Sequence, residues 1–324
     1  MRQRPAKPTA PRTARRVVIV VVALLLVAYG GILLWFRVNE DTLLFHPVRG
    51  KLSAPPAALA LDSRDVPLQS EDGTPLVARL IPPPPGESSG GAGWILYLHG
   101  SGGNVGVRGY NEAWAKFRRL GLGVLAVDYR GFGESGGRPS EAGLYRDATA
   151  AYAYLTGRLG VPASRIVIYG YSLGTAVAID LATRVPAAGL IVEGALLSVP
   201  ARAAELYPFV PVAWMARNRF ASVDKVAQVK MPKLFIHARD DTEIPIAHGR
   251  KLFELAAPPK YFQDVAGGHR TAHQVDPGFF TAVAHFVAGL SVPVSEKAAT
   301  GDLSPARAPQ GTPPSDGTGT RTPP

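Results

Sequence analysis

The chain has 324 residues, of which 46% are hydrophobic, and it carries a formal net charge of +10 at pH 7. It contains no cysteine, which excludes disulfide scaffolds, thiolate zinc sites, iron–sulfur clusters and cysteine nucleophiles. The length is sufficient for one or two globular domains with a buried core. The net charge alone would make nucleic acid or an anionic membrane a candidate partner.

The excess positive charge is concentrated at the N-terminus. Residues 1–16 contain no acidic side chain and six basic ones, which are Arg2, Arg4, Lys7, Arg12, Arg15 and Arg16. A nucleic-acid-binding domain usually has a basic stripe of its own, whereas the charges in the middle of this chain nearly balance. The sequence therefore predicts no nucleic-acid partner.

The basic arm is followed by residues 17–36, which carry no charged side chain. A helix of this length spans the roughly 30 Å hydrocarbon core of a bilayer, so we predict an uncleaved transmembrane signal anchor. A cleavable signal peptide is the alternative, but its apolar region would be shorter and would end in a small-residue cleavage site. The positive-inside rule predicts a cytoplasmic arm and an extracytoplasmic remainder. An exported domain without cysteine favours a bacterial source.

Composition divides the rest of the chain into three segments. Residues 37–64 are predicted to be a juxtamembrane connector, and residues 65–292 a folded domain. Residues 293–324 are mostly Pro, Gly, Ala, Ser and Thr, which cannot bury enough apolar surface to fold and therefore predict a disordered tail.

Short apolar runs alternate with helix-compatible stretches in the folded domain. Strands are predicted at 76–81, 94–99, 122–128, 165–170, 189–195, 233–238 and 261–265, and helices at 109–120, 140–159, 173–185, 246–257 and 276–290. This alternation is typical of a mostly parallel sheet with helices on both faces, whose active site lies beyond the carboxyl ends of the strands. Residues 197–229 interrupt the alternation with aromatic residues among prolines, and we interpret them as a small cap over the site.

The pattern G-x-S-x-G, which marks a strained turn that exposes a serine nucleophile, occurs three times. Ser88 lies in a loop rich in Pro, Gly and Ser. Ser135 is followed by two glycines, which disfavour an immediate helix. Only Ser172 follows a predicted strand and leads directly into a predicted helix, so we predict Ser172 as the nucleophile.

A serine nucleophile of this type needs an acid and then a histidine later in the chain. Of the later histidines, His269 follows two glycines in a loop after the last predicted strand, and His273 is its main competitor. The others, His237, His248 and His285, lie in predicted strands or helices. Asp240 and Asp241 both follow the strand at 233–238, and Glu193 is a less favoured acid.

A Gly-rich loop follows the strand at 94–99 and can supply an oxyanion hole. We assign the two donors to the backbone N–H groups of Ser101 and Leu173. A phosphate-binding loop is a poor alternative because the G-K-[ST] ending is missing. The sequence gives no signal for a metal ion or an organic cofactor.

From about Leu76 to Leu290 the chain resembles the α/β-hydrolase superfamily, and within it the membrane-associated branch of serine aminopeptidase-like, bud-emergence-type and depalmitoylase proteins. The resemblance rests on LYLHGSGGN at 96–104, DYRGFGESGGRPSEAGLYRDA at 128–148, GYSLG at 170–174, HARDDTEIP at 237–245 and GGH at 267–269. It implies that Asp241 is the acid of the triad and that Asp128 and Arg130 are structural. Ala238 and Ser101 depart from the family's usual Gly and Asn.

These residues together predict a membrane-anchored serine hydrolase that cleaves an acyl ester or thioester, small or lipid-derived, through an acyl-enzyme. A peptidase or amidase of the same fold is the alternative within enzymes. A non-catalytic scaffold is the alternative outside them, and the complete set of Ser172, Asp241 and His269 argues against it.

Overall fold

The structure is a computed structural model that describes residues 12–86 and 92–290. The predicted tail at 293–324, the rejected nucleophile Ser88 and most of the basic arm lie outside these ranges.

The first element is a single long helix, α1, at Arg12–Leu44. It is the one helix in the described part of the chain that is long and apolar enough to cross a membrane. The helix includes the predicted span at 17–36 and continues through Leu44, because no proline interrupts it before Pro47. The beginning of the segment predicted as a connector is therefore helical.

Ten strands follow α1 in the described residues. They are β1 His46–Pro47, β2 Arg64–Gln69, β3 Pro75–Ile81, β4 Trp94–Leu98, β5 Gly102–Gly103, β6 Gly123–Asp128, β7 Ile166–Tyr171, β8 Gly189–Glu193, β9 Lys233–Ala238 and β10 Lys260–Val265. Eight of them form one sheet in the order β10-β9-β8-β7-β4-β6-β3-β2, in which only the pairings of β3 with β2 and β6 are antiparallel. Strands β1 and β5 form a separate parallel pair.

The remaining helices are α2 Arg108–Arg119, α3 Glu141–Ala153, α4 Gly174–Arg184, α5 Val199–Leu206, α6 Val212–Met215, α7 Ile246–Leu255, α8 Ala272–Val275 and α9 Pro277–Gly289. Helix α3 continues into a π-helical turn at Tyr154–Arg158. Two apolar clusters cover the sheet: α3, α4 and α7 contribute to one, and α2 and α9 to the other. The predicted α/β architecture, a mostly parallel sheet with helices on both faces, is confirmed.

All seven predicted strands are present, but the sequence analysis missed the two-residue strands β1 and β5 and also missed β2. Its residues alternate between exposed and buried over RDVPLQ, and only Val66 and Leu68 are buried. A short edge strand that contains Pro67 gives a weak apolar signal. The predicted cap region at 197–229 contains α5, α6 and two short 3₁₀ turns, and it lies between β8 and β9.

Candidate active site

Ser172 lies at the turn between β7 and α4 with a backbone φ of +55°, a conformation that is strained for a residue with a side chain. The flanking glycines make this turn possible. A Cβ at Gly174 would lie 2.1 Å from the carbonyl oxygen of Leu98, and a Cβ at Gly170 would lie 2.5 Å from that of Gly174. The start of α4 therefore lies closer to the ends of β4 and β7 than any larger residue at these two positions would allow. The turn places Ser172 above the sheet.

The structure brings Ser172, His269 and Asp241 together, although 97 residues separate the first two. His269 Nε2 lies 2.9 Å from Ser172 Oγ, and His269 Nδ1 lies 2.6 Å from Asp241 Oδ2. His269 and Asp241 are both buried, with 8% of His269 and 7% of Asp241 exposed. This geometry allows His269 to take the serine proton while the carboxylate holds the other ring nitrogen protonated.

The backbone after β9 fixes the orientation of Asp241. Its Oδ1 accepts hydrogen bonds from the N–H groups of Glu243 at 2.9 Å and Ile244 at 2.7 Å, which leaves Oδ2 for His269. Burial by itself would raise the pKa of the Asp241 carboxyl, but hydrogen bonds from His237, His269 and Ile244 hold that pKa well below its usual range. The neighbouring Asp240 is exposed.

The competing serine and histidines make their main contacts elsewhere, although His237 Nε2 also lies 3.5 Å from Asp241 Oδ2. Ser135 is buried, donates to the carbonyl oxygen of Asp128 at 2.7 Å and accepts from the N–H of Val77. His248 lies 2.9 Å from Glu205 Oε1, and the Nε2 of His237 lies 2.8 Å from the carbonyl oxygen of Ile244. His273 lines a cavity beside the site, and His285 is exposed.

The loop that carries Ser101 is braced by the residues that follow the long helix. The N–H of His46 donates to the carbonyl oxygen of Ser101 at 2.8 Å, and β1 pairs with β5 directly after it. The side chain of Asn104 also donates to the carbonyl oxygen of Val48. Leu173 caps the N-terminus of α4, where a backbone N–H has no acceptor within the helix. Both predicted N–H donors therefore belong to rigid backbone beside Ser172.

Asp128 and Arg130 support the neighbouring loops. Asp128 Oδ1 accepts from the N–H of Val105 at 2.8 Å and lies 3.4 Å from His99 Nε2. The Arg130 guanidinium pairs with Asp147 and Asp72, each at 2.8 Å. These contacts agree with the structural role that the family resemblance implies for both residues.

Two cavities meet at Ser172 and His269. The first has a volume of about 280 Å³ and lies between α1 and the cap, with largely apolar walls that include Phe36, Leu43, Leu44, Leu196, Val199, Leu206, Val210 and Met215. The second has a volume of about 380 Å³ and more polar walls, which include His46, Tyr110, Tyr171, Glu193, Arg270 and His273. The site can therefore hold a molecule with one apolar and one polar part, with the bond between them at the serine.

The sequence analysis missed the contribution of α1 to the apolar cavity. A signal was present, because Tyr29, Leu33, Phe36, Glu40 and Leu44 recur at helical spacing. The uniform hydrophobicity of the segment hides this face, since a helix in lipid needs no polar face to be stable.

Glu193, the less favoured acid, lies at the end of β8 and takes no hydrogen bond from His269. Tyr169 donates its hydroxyl to Glu193 Oε2 at 2.5 Å, and Oε1 has no hydrogen-bond partner among the described residues. Burial raises the pKa of Glu193 to about 7, against the lowering effect of the Tyr169 hydrogen bond. The uncharged carboxyl is therefore the form that this environment favours.

We expect Glu193→Gln to stabilise the protein at alkaline pH. Because the folded pKa of about 7 exceeds the ordinary value of 4.5, the wild type loses stability as the pH rises through this interval. The loss is at most about 3 kcal/mol. The variant keeps an acceptor for Tyr169 and has no charge to bury, so its Tm in detergent should exceed that of the wild type at pH 8 and match it at pH 4.

The control is Glu134→Gln, the same change at an exposed position, and it should leave the Tm unchanged at both pH 8 and pH 4. A Glu193→Gln variant whose Tm differs from that of the wild type by the same amount at both pH values would contradict the prediction.

Among the described residues, no group of three or more His, Asp or Glu side chains is arranged to hold a metal ion.

Comparison with known proteins identifies the class that this fold and site define. Residues 95–314 match the Alpha/beta hydrolase family, and the chain belongs to that family. It is 33% identical over 258 residues to the Mycobacterium tuberculosis protein Rv2307c, an alignment that covers 79% of this chain and 89% of that protein.

Two further matches, one in sequence and one in structure, are to proteins with named activities. The lysophosphatidylserine lipase ABHD12 of Danio rerio is 35% identical over 184 residues, which cover 51% of this chain and 48% of the lipase. The structure of the Pyrococcus furiosus esterase Pf2001 superposes with a TM-score of 0.62 at 21% identity and covers 76% of this chain and 100% of the esterase chain. The second likeness shows the fold alone.

Proposed function

We propose that the chain is a membrane-anchored serine hydrolase that cleaves the acyl ester or thioester bond of a lipid-derived substrate with one acyl chain. The observation that carries this proposal is the meeting of an apolar and a polar cavity at Ser172 and His269. An acyl chain fits the first cavity, and the alcohol or thiol part fits the second.

The reaction follows from the geometry around Ser172. His269 Nε2 accepts the hydroxyl proton as Ser172 Oγ attacks the acyl carbonyl carbon, and Asp241 stabilises the imidazolium. The N–H groups of Ser101 and Leu173 stabilise the oxyanion. The bond to the leaving alcohol or thiol then breaks, and that group takes the proton from His269.

Water completes the cycle by attacking the acyl-enzyme. His269 removes one proton from the water as its oxygen bonds to the acyl carbon, and the proton then returns to Ser172 Oγ as the acid leaves. The products are a carboxylic acid and an alcohol or thiol, and the enzyme is regenerated.

The relatives and the N-terminal helix support a lipid substrate and a membrane location. The relative from Danio rerio is by its name a lipase that acts on a lysophospholipid. Helix α1 is apolar enough to act as a single-pass anchor, and the basic residues before it favour a cytoplasmic N-terminus with the catalytic domain outside.

The test is a set of p-nitrophenyl esters of increasing chain length, together with a matched acyl thioester and an aminoacyl anilide, assayed with the full-length protein in detergent micelles. We expect kcat/KM to rise several-fold per methylene until the apolar cavity is full. The thioester should be cleaved and the anilide should be the poorest substrate. Faster turnover of the anilide would indicate the amidase instead, and equal turnover of all chain lengths would exclude an acyl-chain substrate.

A further inference from the structure

The cap covers one face of α1 well into the uncharged stretch that we assign to the membrane. Tyr29 donates its hydroxyl to the backbone carbonyl oxygen of Phe209 at 2.7 Å, and the rings of Phe36 and Tyr207 lie 5.0 Å apart. Nearer the domain, the Glu40 carboxylate accepts the N–H of Arg217 at 2.9 Å. The cap therefore follows α1 from Glu40 to Tyr29.

This contact places part of the cap at a depth where lipid is expected. The first charged residue after the membrane segment is Arg37, and Tyr29 lies eight residues before it. At the helical rise of about 1.5 Å per residue, the backbone at Phe209 lies about 12 Å from the level of Arg37, on the membrane side. A protein segment at this level needs an apolar surface.

The cap exposes large apolar side chains at Phe209 and at residues near it in sequence. Trp214 is 91% exposed, Phe209 85% and Leu206 54%, and we call these three residues the cap tip. Exposed Arg219 follows the cap tip in sequence, where a cation can reach lipid phosphates, while Arg217 pairs with Glu40 and Asp41 of α1. Large aromatic residues beside arginines are typical of a surface that lies at a membrane interface.

Helix α1 and the cap also form the walls of the largely apolar cavity at Ser172, which we call the acyl cavity. Phe36 and Leu43 of α1 and Leu206 and Tyr207 of the cap all line the cavity that leads to Ser172. The cavity at Ser172 is therefore bounded by the same two elements that meet beside the cap tip.

We propose that the cap tip inserts into the leaflet around α1, and that α1 forms a wall of the acyl cavity, so that a bilayer lipid passes its acyl chain between α1 and the cap to Ser172. This proposal rests on the proposed function, since it assigns the source of the acyl substrate. The continuity of the cap tip with the membrane helix makes the bilayer its occupant, and a second copy of the chain is the competing occupant that the experiment must separate.

The absence of cysteine allows a direct test of insertion. Trp214→Cys, labelled with the polarity-sensitive fluorophore NBD, is reconstituted into phosphatidylcholine vesicles. We expect the emission of this label to lie at shorter wavelength than that of the same label at the control position. We also expect it to be quenched by lipids with a nitroxide on the acyl chain. The control is Leu255→Cys at the end of α7, 38% exposed and at the opposite end of the domain from the site, which should not be quenched.

Two results would overturn insertion. A Trp214→Cys label that is quenched no more than the label at Leu255→Cys would place the cap tip in water. A blue-shifted emission that resists lipid quenching and weakens as the protein is diluted in lipid would show that a second copy covers the cap tip.

The wall formed by α1 is tested by Phe36→Ala, with Leu34→Ala as the matched control. Leu34 is 63% exposed on the same helix and does not line the cavity. We expect Phe36→Ala to reduce the ratio of kcat/KM for a long-chain ester to that for an acetate ester about tenfold, and Leu34→Ala to leave it unchanged. An equal ratio in both variants would exclude α1 as a wall.

The proposed function is checked separately in the same preparations. Turnover of the acetate ester and labelling of the wild type by a fluorophosphonate report on the serine hydrolase itself. If both are present, but the Trp214→Cys label is not quenched by lipid and Phe36→Ala does not change the chain-length ratio, the proposed hydrolase function is retained and the proposed membrane route is wrong.

Discussion

Ser172→Ala is expected to abolish ester hydrolysis and fluorophosphonate labelling. The hydroxyl is the group within 2.9 Å of His269 Nε2, and its loss removes the atom to which the acyl group would bond. Loss of such a serine lowers kcat by a factor on the order of 10⁶, with residual activity due to the oxyanion donors and substrate binding. The measurements are ester turnover and gel-based labelling of the purified full-length protein.

The matched control is Ser135→Ala, because Ser135 is the other described serine in a G-x-S-x-G pattern. Its hydroxyl makes two structural hydrogen bonds, so this variant should lose about 1–3 kcal/mol of stability and keep its labelling. Labelling that persists in Ser172→Ala and disappears in a folded Ser135→Ala variant would show that the wrong serine is assigned.

Asp241→Asn is expected to lower kcat by about 10⁴ while the fold is retained. The new side-chain oxygen would stay at the Oδ1 position, where it accepts the N–H groups of Glu243 and Ile244. The amide NH₂ would then face His269 Nδ1 and donate to it. This forces the ring proton onto Nε2, the atom that must accept the proton of Ser172.

Asp240→Asn provides the control for Asp241→Asn, since it makes the same chemical change at an exposed neighbouring position. It should keep activity within about twofold, because surface substitutions of this kind usually change little. Equal activity losses in the two variants would show that the carboxylate at 241 has no special role, and Tm values of both variants would show whether the fold is intact.

Helix α1 contacts the site in two places, in addition to being joined to it by the chain. Its continuation at β1 pairs with β5, directly after Ser101, and its inner face lines the acyl cavity. The segment for which the sequence predicts only an anchoring role therefore contacts both the loop of the proposed oxyanion hole and the apolar cavity. Because both contacts are formed by the last turns of α1 and the strand that follows, α1 and the site around Ser172 are one structural unit.

Several features could be predicted from local sequence because they depend on local chemistry. The uncharged stretch at 17–36 predicts a membrane helix from length and hydrophobicity alone. The apolar runs predict the central strands because buried parallel strands need apolar residues on both faces. The context of Ser172, between a strand and a helix, identifies the elbow because only that arrangement produces the turn.

Other features depend on contacts between distant segments. Asp240 and Asp241 are neighbours with the same chemistry, and only the packing of the loop after β9 turns Asp241 toward His269. Glu193 stands at the end of a central strand, yet Tyr169 rather than His269 binds its carboxylate. The wall that Phe36 contributes to the acyl cavity exists only because the cap packs along α1. The sequence by itself determined the long apolar helix, the sheet and the turn at Ser172 through local hydrophobicity and turn geometry. The choice among equivalent side chains and the shape of the cavity required the long-range packing of the tertiary structure.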